Sequence, residues 1–366
     1  MSGTEGSGDM SFGGDCRYRP VSLDEENLAA KGFSRYGERY PELFLKSSDY
    51  EKSQLDEHFR SYASHLQESL AVDDDAFFLD YIRWARVFLE SLHFPPAILE
   101  RSLVAFSDVL HQELPGEQDP KAQEYITRAR TLLSAPPRED PSFIREDNPL
   151  AAQARAYLSA LVAANQEDAR VLIIGMLDMG VPVRDLYRHI FQPALQETGR
   201  LWQVRKVSVA EEHYITDTTR LFIALLYNRM REESRKQARK GRRLVAASVS
   251  GEFHDIGIRM VADFFEMDGW DTLYTGANTP APSVVAMIRD YHADAIAISA
   301  TIPVHVSRVY ELVQAIRADP DTTETCIIAG GYPFSLVPNL WKCIGADAGA
   351  ASADEAVEKA NRLVFS

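Results

Sequence analysis

The sequence contains little cysteine, no long apolar run and no excess of positive charge. Its three cysteines, Cys16, Cys326 and Cys343, lie far apart without a C-x-x-C spacing, which argues against a zinc site and a disulfide framework. No apolar run approaches the roughly 20 residues that span a bilayer. The formal net charge of −15 disfavours nucleic acid as the main partner, because phosphate binding needs a basic surface. We therefore expect a cytoplasmic protein that makes no membrane or direct nucleic-acid contact.

The chain is long enough for two or three domains with separate cores. Residues 1–18 are rich in glycine and serine, which predicts a disordered tail. Residues 19–135 are predicted to form a helical domain, and the prolines across residues 136–147 indicate a linker. The amphipathic stretches of the first domain are roughly Glu51–Leu70, Asp74–Leu92, Pro96–Leu114 and Pro120–Leu133.

The second half of the chain changes from helical to alternating patterns. Residues 148–240 carry four helical stretches with short breaks, which predicts a four-helix bundle. In residues 241–366 short apolar runs alternate with helical patterns, and this predicts a parallel, doubly wound (Rossmann-like) α/β domain. The predicted strands are Leu244–Val249, Thr272–Tyr274, Ala295–Ser299 and Cys326–Ala329. Ligands of such domains bind beyond the carboxyl ends of the strands.

The loop after the first predicted strand carries a histidine between carboxylates. Its sequence places His254 between Glu252 and Asp255. A metal-ligating imidazole usually donates its other N–H to a carboxylate, which fixes the tautomer and raises the basicity. A solvated loop histidine is the alternative interpretation of this loop taken alone.

The spacing Glu252-x-His254-x-x-Gly257 resembles the D-x-H-x-x-G signature of the cobalamin-binding domain shared by methionine synthase, mutases and corrinoid methyl carriers. Glutamate replaces the usual aspartate here. The resemblance implies that His254 replaces the cofactor's dimethylbenzimidazole below the cobalt. The same resemblance implies that the following loops contact the cofactor and its nucleotide tail, through Asn278 of a G-A-N-x-P run, Ser299 and Thr301 of an S-x-T element, and the pair Gly330 and Gly331.

The predicted bundle carries Trp202 and, in the spacing W-x9-E-H, Glu212 and His213. A tryptophan at a helix end is most often a core residue, and a Glu-His pair on a helix is most often solvated. Ahead of a cobalamin domain, this spacing resembles the light-sensing B12 photoreceptors of the CarH type. The resemblance implies that Trp202 and Glu212 line a pocket for the adenosyl group of adenosylcobalamin, supported by His213. Gln203 stands where those receptors have a histidine.

An aromatic stripe marks one predicted helix of the N-terminal domain. Phe77, Tyr81, Trp84 and Phe88 share a helix face, which is typical of a core but also suits a planar ligand. A globin-like helical domain ahead of a CarH-type module is similar to the photocobilins, which pair B12 with a bilin. This architecture implies biliverdin as a second chromophore, with Cys16 either an attachment point or a free thiol.

These resemblances imply a light sensor rather than an enzyme. Photolysis of adenosylcobalamin would change the domain arrangement and the oligomeric state of a homo-oligomer that signals to a downstream effector protein. A corrinoid methyl-carrier protein of a methyltransferase system is the alternative, since such carriers also join a bundle to this domain. A scaffold with a purely structural cobalamin is the third interpretation.

Overall fold

The computed structural model describes residues 16–95, 97–136, 141–235 and 237–365. The N-terminal domain is helical, as predicted, and it includes two helices before the predicted stretches. The longest helix of this domain, Asp49–Val72, begins at a capping box, in which Ser48 and Glu51 each accept from the other's backbone N–H. The helices of the domain are α1 (Glu25–Arg39), α2 (Pro41–Lys46), α3 (Asp49–Val72), α4 (Ala76–Ser91), α5 (Ala97–Glu113) and α6 (Gln118–Ser134).

Four helical segments follow the N-terminal domain, and their buried residues share one core. The first, second and fourth segments are α7 (Ala151–Val162), α8 (Gln166–Asp178) and α11 (Val209–Ser234). The third consists of two consecutive helices, α9 (Val183–Leu186) and α10 (Gln192–Gln203). A π-helical turn, Tyr187–Phe191, joins α9 to α10 directly ahead of Pro193. Proline offers no N–H to the helix, and a π turn is one of the ways in which a helix accommodates that loss.

The C-terminal domain is an α/β domain with one sheet. Its strands are β1 (Arg243–Ser248), β2 (Asp271–Tyr274), β3 (Ala295–Ser299), β4 (Cys326–Gly330) and β5 (Ala348–Ala350). The first four lie where the sequence predicts strands, whereas the short β5 has no sequence signal of its own. The helices between and after the strands are α12 (Ile256–Met267), α13 (Ala281–Tyr291), α14 (Val306–Ala318), α15 (Pro333–Leu336), α16 (Leu340–Cys343) and α17 (Ala353–Val364).

All strand pairs are parallel, in the order β2-β1-β3-β4-β5. This order reverses direction between β1 and β3, and such a switch point opens a crevice at the carboxyl ends of the strands. Helices cover both faces of the sheet: α12, α17 and the bundle share a core with one face, and α13 and α14 share a core with the other. The doubly wound domain predicted from the sequence is therefore present.

A disulfide joins the first described residue to the C-terminal domain. Cys16 is bonded to Cys343 of α16, across 327 residues of sequence. The segment after Cys16 is held further, because Tyr18 N–H donates to the carbonyl of Cys343 at 2.9 Å and Arg19 N–H to that of Ala71 at 2.8 Å.

Three predictions that involve this segment are wrong. Residues 16–18 are not part of a tail, the remainder of which lies outside the described residues. The wide spacing of the cysteines did not exclude a disulfide, because the fold brings distant residues together. Cys16 is neither a free thiol nor an attachment point for a bilin, because its sulfur is already bonded. Across the described residues no helix is long and apolar enough to cross a membrane.

Candidate functional site

The predicted site residues of the α/β domain meet at the switch point. Ser248, Ser299 and Gly330 end neighbouring strands and lie side by side in the register of the sheet. The loop after β1 reaches the loop after β3, where Thr301 N–H donates to the carboxylate of Glu252 at 2.7 Å. The crevice between these two loops is the place where a doubly wound fold binds its ligand.

Glu252 is the buried anchor of the loop, with no exposed surface. One carboxylate oxygen accepts from His254, from its backbone N–H at 2.9 Å and from Nδ1 at 2.6 Å. The other oxygen accepts from Thr301 and pairs with Nδ1 of His305 at 3.0 Å. Burial alone would raise the pKa of Glu252, but the hydrogen bonds from His254, His305 and the two backbone amides hold it well below its usual value. Glu252 is therefore ionised and fully hydrogen-bonded.

His254 projects from this anchor towards solvent, with 62% of its side chain exposed. The hydrogen bond to Glu252 raises the pKa of His254, and the nearby charges of Glu212 and Asp255 raise it further. Because Nδ1 is bonded to Glu252, Nε2 is the ring nitrogen that remains for a ligand. Such a carboxylate–imidazole pair is the arrangement that orients a histidine for metal ligation.

Asp255 and Asn278 hold the same loop from two sides. One oxygen of Asp255 accepts from Arg220 of α11 at 3.0 Å and from the hydroxyl of Tyr274 at 2.6 Å, which ties the bundle to the loop. Asn278 accepts from Gly251 N–H at 2.8 Å, and its own N–H donates to the carbonyl of Glu252 at 2.9 Å. These contacts fix the loop before any ligand is bound.

The glycines of the site serve two different purposes. At Gly257 a Cβ would meet no atom within 4 Å, so the space beside it is open. At Gly331 a Cβ would lie within 1.8 Å of the carbonyl oxygen of Ala300, and the residue has a φ of +103°. At Gly330 the nearest atom to such a Cβ would be the carbonyl oxygen of Ala350, at 2.8 Å. The glycine pair is therefore required by the protein's own backbone, whereas the sequence argument assigned it to the passage of a ligand.

The residues present fit a bound cobalamin. The hydroxyl of Ser248 is buried at the end of β1 and has no hydrogen-bond partner, and such a group is best explained by a ligand that satisfies it. Among the described residues no cluster of three or more His, Cys, Asp or Glu side chains could hold a free metal ion. A single projecting imidazole suits a cobalt whose other ligands come from a corrin ring.

The residues predicted for the upper side lie at the ends of two successive bundle helices. Glu212, in the first turn of α11, accepts from Nδ1 of His213 at 2.6 Å and from Thr216 at 2.8 Å. Trp202 ends α10 and stacks against α4, with ring centroids 5.9 Å from both Trp84 and Phe88. Trp202 and Glu212 thus have protein partners without a nucleoside.

The aromatic stripe of α4 does not line a free ligand surface. Phe77 and Tyr81 are buried, and Tyr81 pairs with Nδ1 of the buried His58 at 2.5 Å. Trp84 and Phe88 pack on Trp202. The interpretation of the stripe as a packed surface is thereby favoured over a bilin pocket.

The fold and the loop chemistry define a cobalamin-binding module, and sequence comparison agrees. A family model described as B12 binding domain matches residues 242–361, and a second B12 binding domain model matches residues 153–227. The chain therefore contains a cobalamin-binding module that includes the bundle and the α/β domain.

The relatives of this module are corrinoid proteins. A corrinoid protein of Desulfitobacterium hafniense is 22% identical over 206 residues, which are 56% of this chain and 94% of that protein. Dimethylamine corrinoid protein 2 of Methanosarcina mazei is 28% identical over 123 residues. The matched residues are 33% of this chain and 56% of that protein, so the chain spans about half the length of this relative. The structure of the Methanosarcina barkeri monomethylamine corrinoid protein, 19% identical, superimposes with a TM-score of 0.50 over 57% of this chain and 96% of that chain, which shows a shared fold.

These findings correct the expected function. The relatives of the module, including the one that aligns over nearly its whole length, are corrinoid proteins named in part for methylated amines. The light sensor predicted from the W-x9-E-H spacing is therefore wrong. The W-x9-E-H spacing predicted an adenosyl pocket, but Trp202 and Glu212 contact other residues of the protein, and a sequence pattern does not reveal such contacts.

Several residues of the site carry no sequence signal. His305 lies 53 residues after Glu252 in the chain, yet it contacts the same carboxylate oxygen as Thr301. Arg220 and Tyr274 converge on Asp255 from a bundle helix and from a strand. Only the hydroxyl of Ser248, at the end of a predicted strand, could have been inferred from its position.

Proposed function

We propose that the protein is a corrinoid methyl-carrier protein of a methyltransferase system. It binds cobalamin with His254 below the cobalt and presents the upper face to partner proteins. When bound, the cofactor supplies a cobalt that accepts a methyl group from one molecule and donates it to another. Relatives named for dimethylamine and monomethylamine support a methylated amine as the source of the methyl group.

The observation that carries this proposal is the Glu252–His254 pair. The ionised, buried Glu252 keeps the proton on Nδ1 of the largely exposed His254 and leaves the lone pair of Nε2 for a ligand. Because Glu252 is fixed by Thr301 and His305, the imidazole is oriented before the cofactor arrives. The pair thus provides a basic, oriented lower ligand.

The upper side supports a small ligand rather than an adenosyl group. Trp202 already stacks on two aromatic rings, and the amide of Gln203 donates to the carbonyl of Trp84 at 3.1 Å. Glu212 is engaged with His213 and Thr216. Because these groups are satisfied by the protein, a nucleoside above the cobalt would have to displace existing contacts.

The proposal also replaces the protein partner that the sequence led us to expect. The chain carries the methyl group and leaves catalysis to methyltransferases, which take the place of the predicted downstream effector. A bilin has no role in such a carrier. The globin-like fold of the N-terminal helices and a homo-oligomeric state remain predictions of the sequence.

The test is a comparison of two cofactors in the dark. Protein freed of cofactor is titrated with methylcobalamin and with adenosylcobalamin, and binding is followed by quenching of tryptophan fluorescence. We expect methylcobalamin to bind at least as tightly as adenosylcobalamin. A preference for adenosylcobalamin of about tenfold or more, which is 1.4 kcal/mol, would contradict the proposal.

A further inference from the structure

Helix α4 of the N-terminal domain contacts the cobalamin-binding module along one face. Near its start, Asp80 accepts from the hydroxyl of Tyr332 at 2.8 Å. Further along, Trp84 and Phe88 stack on Trp202. Residues 80, 84 and 88 are spaced four apart, so they lie on the same side of the helix.

The end of α4 is joined to the end of α10 by a hydrogen bond and a second, longer polar contact. The side-chain amide of Gln203 donates to the carbonyl of Trp84 at 3.1 Å. The hydroxyl of Ser91 donates to the carbonyl of Phe88 within α4 at 2.6 Å and lies 3.2 Å from the carbonyl of Gln203. Gln203 is only 5% exposed, so these contacts are shielded from water.

One helix therefore connects the two sides of the site. Tyr332 directly follows the glycine pair at the end of β4, on the sheet side, whereas Trp202 belongs to the bundle. From residue 80 to residue 91 an α-helix spans roughly 16 Å. The same helix therefore contacts the loop after β4 and the end of α10.

Trp202 is connected to the first turn of α11 by a short, hydrogen-bonded turn. A short turn leads from Trp202 to α11, and it is tied back by the N–H groups of Lys206 and Val207, which donate to the carbonyl of Leu201. Glu212 follows in the first turn of α11, the helix whose Arg220 donates to Asp255 in the loop after β1 at 3.0 Å. Displacing Trp202 would therefore shift the groups that face the crevice.

We propose that α4 is a latch that holds the bundle closed over the upper face of the cofactor. Trp84 and Phe88 are positioning residues that act through Trp202, and their contact with Trp202 must separate before a partner reaches the cobalt. This inference rests on the proposed methyl-carrier function, because only a carrier needs its upper face to be exposed in turn to different proteins.

The latch is tested by ligand exchange at the cobalt, without methyl transfer. Protein loaded with aquocobalamin is mixed with azide in a stopped-flow instrument, and replacement of the bound water is followed by absorbance. Phe88→Leu should accelerate the exchange by about threefold to tenfold, the factor expected from the loss of an aromatic pair. Trp84→Phe, which keeps a ring at the contact, should give a smaller acceleration.

Two controls separate a latch from a general loss of packing. Phe33→Leu removes a half-buried ring of the same domain that contacts Phe44 instead of the module, and it should leave the rate unchanged. In a Trp202→Ala background, Phe88→Leu should have no further effect, because Phe88 acts through Trp202.

Equal rates in the wild type and in a folded Phe88→Leu variant would overturn the proposal. So would an undiminished effect of Phe88→Leu when Trp202 is alanine. Because the exchange requires only bound cobalamin, a protein that did not carry methyl groups would still report on the latch, and the two proposals can fail separately.

Discussion

The lower and upper sides that we propose for the cobalamin site are built in different ways. The lower side consists of short loops at the ends of β1, β2 and β3, and its anchor Glu252 is fully buried with several hydrogen bonds. The upper side consists of helix ends, and its residue Trp202 is only partly buried and is held by rings from another domain.

Because of this difference, we expect the lower side to determine the affinity for cobalamin and the upper side to determine access to the cobalt. A preorganised lower side provides binding free energy without the cost of ordering the loop. An upper side held by a few contacts between domains can open at a modest cost, as the proposed exchange of a methyl group between partner proteins would require. Mutations on the lower side should therefore change cobalamin affinity, and mutations on the upper side should change rates.

The largest effect is expected from His254→Ala, which removes the proposed cobalt ligand. Cobalamin affinity should fall by at least about 100-fold, since even partners of a metal ligand contribute 10–100-fold. Affinity is measured by equilibrium titration. His111→Ala, at a solvent-exposed histidine of the N-terminal domain, serves as the control and should bind normally. An unchanged affinity of His254→Ala would show that the two sides do not differ as described.

Glu252→Gln should cost less than loss of the ligand itself. The variant keeps the size of the side chain but removes the charge that holds the proton of His254, and we expect a roughly 10- to 100-fold weaker affinity. The matched change Glu212→Gln alters a carboxylate of the upper side and should stay within about threefold. Equal losses of cobalamin affinity in the two variants would show that the lower and upper sides contribute to binding in the same way.

Cys16→Ser tests how firmly the domain that supplies the latch is attached. The disulfide closes a very long loop, so its removal should destabilise the protein by about 2–4 kcal/mol, seen as a lower Tm in a thermal scan. Cys343→Ser should give the same loss, and the double variant should add nothing because both changes remove one bond. Additive losses would speak against this disulfide.

The smallest effect on affinity is expected from Trp202→Ala. Since the lower side provides most of the binding, methylcobalamin affinity should change by less than about threefold, while exchange at the upper face becomes faster. His213→Ala, at a side chain that is 73% exposed, should change neither. If Trp202→Ala weakened methylcobalamin binding as much as Glu252→Gln, the upper side would contribute as much to the binding free energy as Glu252 does.

The fold brings together the residues that the sequence predicts for the lower side, because they belong to short motifs at strand ends. Each motif carries local information, such as the spacing of Glu252, His254 and Gly257 or the position of Asn278 after β2. Because the strands are parallel, their carboxyl ends lie together, and the motifs that follow them meet at the same end of the sheet. Cobalamin binding and the doubly wound sheet followed from that logic and are confirmed.

The upper side and the domain contacts could not be predicted in the same way. Trp202 is separated from Trp84 by 118 positions and Cys16 from Cys343 by 327, and no periodicity links such residues. A tryptophan that stacks between domains has the same local sequence as one that covers a nucleoside. The light-sensor prediction was wrong for this physical reason.

The most direct test of the account is the identity of the atom below the cobalt. The protein is grown with ¹⁵N-labelled histidine, loaded with cobalamin, reduced by one electron and examined by electron paramagnetic resonance. The account predicts that the nitrogen splitting of the cobalt lines changes from a triplet to a doublet on labelling and disappears in His254→Ala. A triplet that persists in the labelled protein would show that the cofactor's own base remains bound, and it would contradict the account.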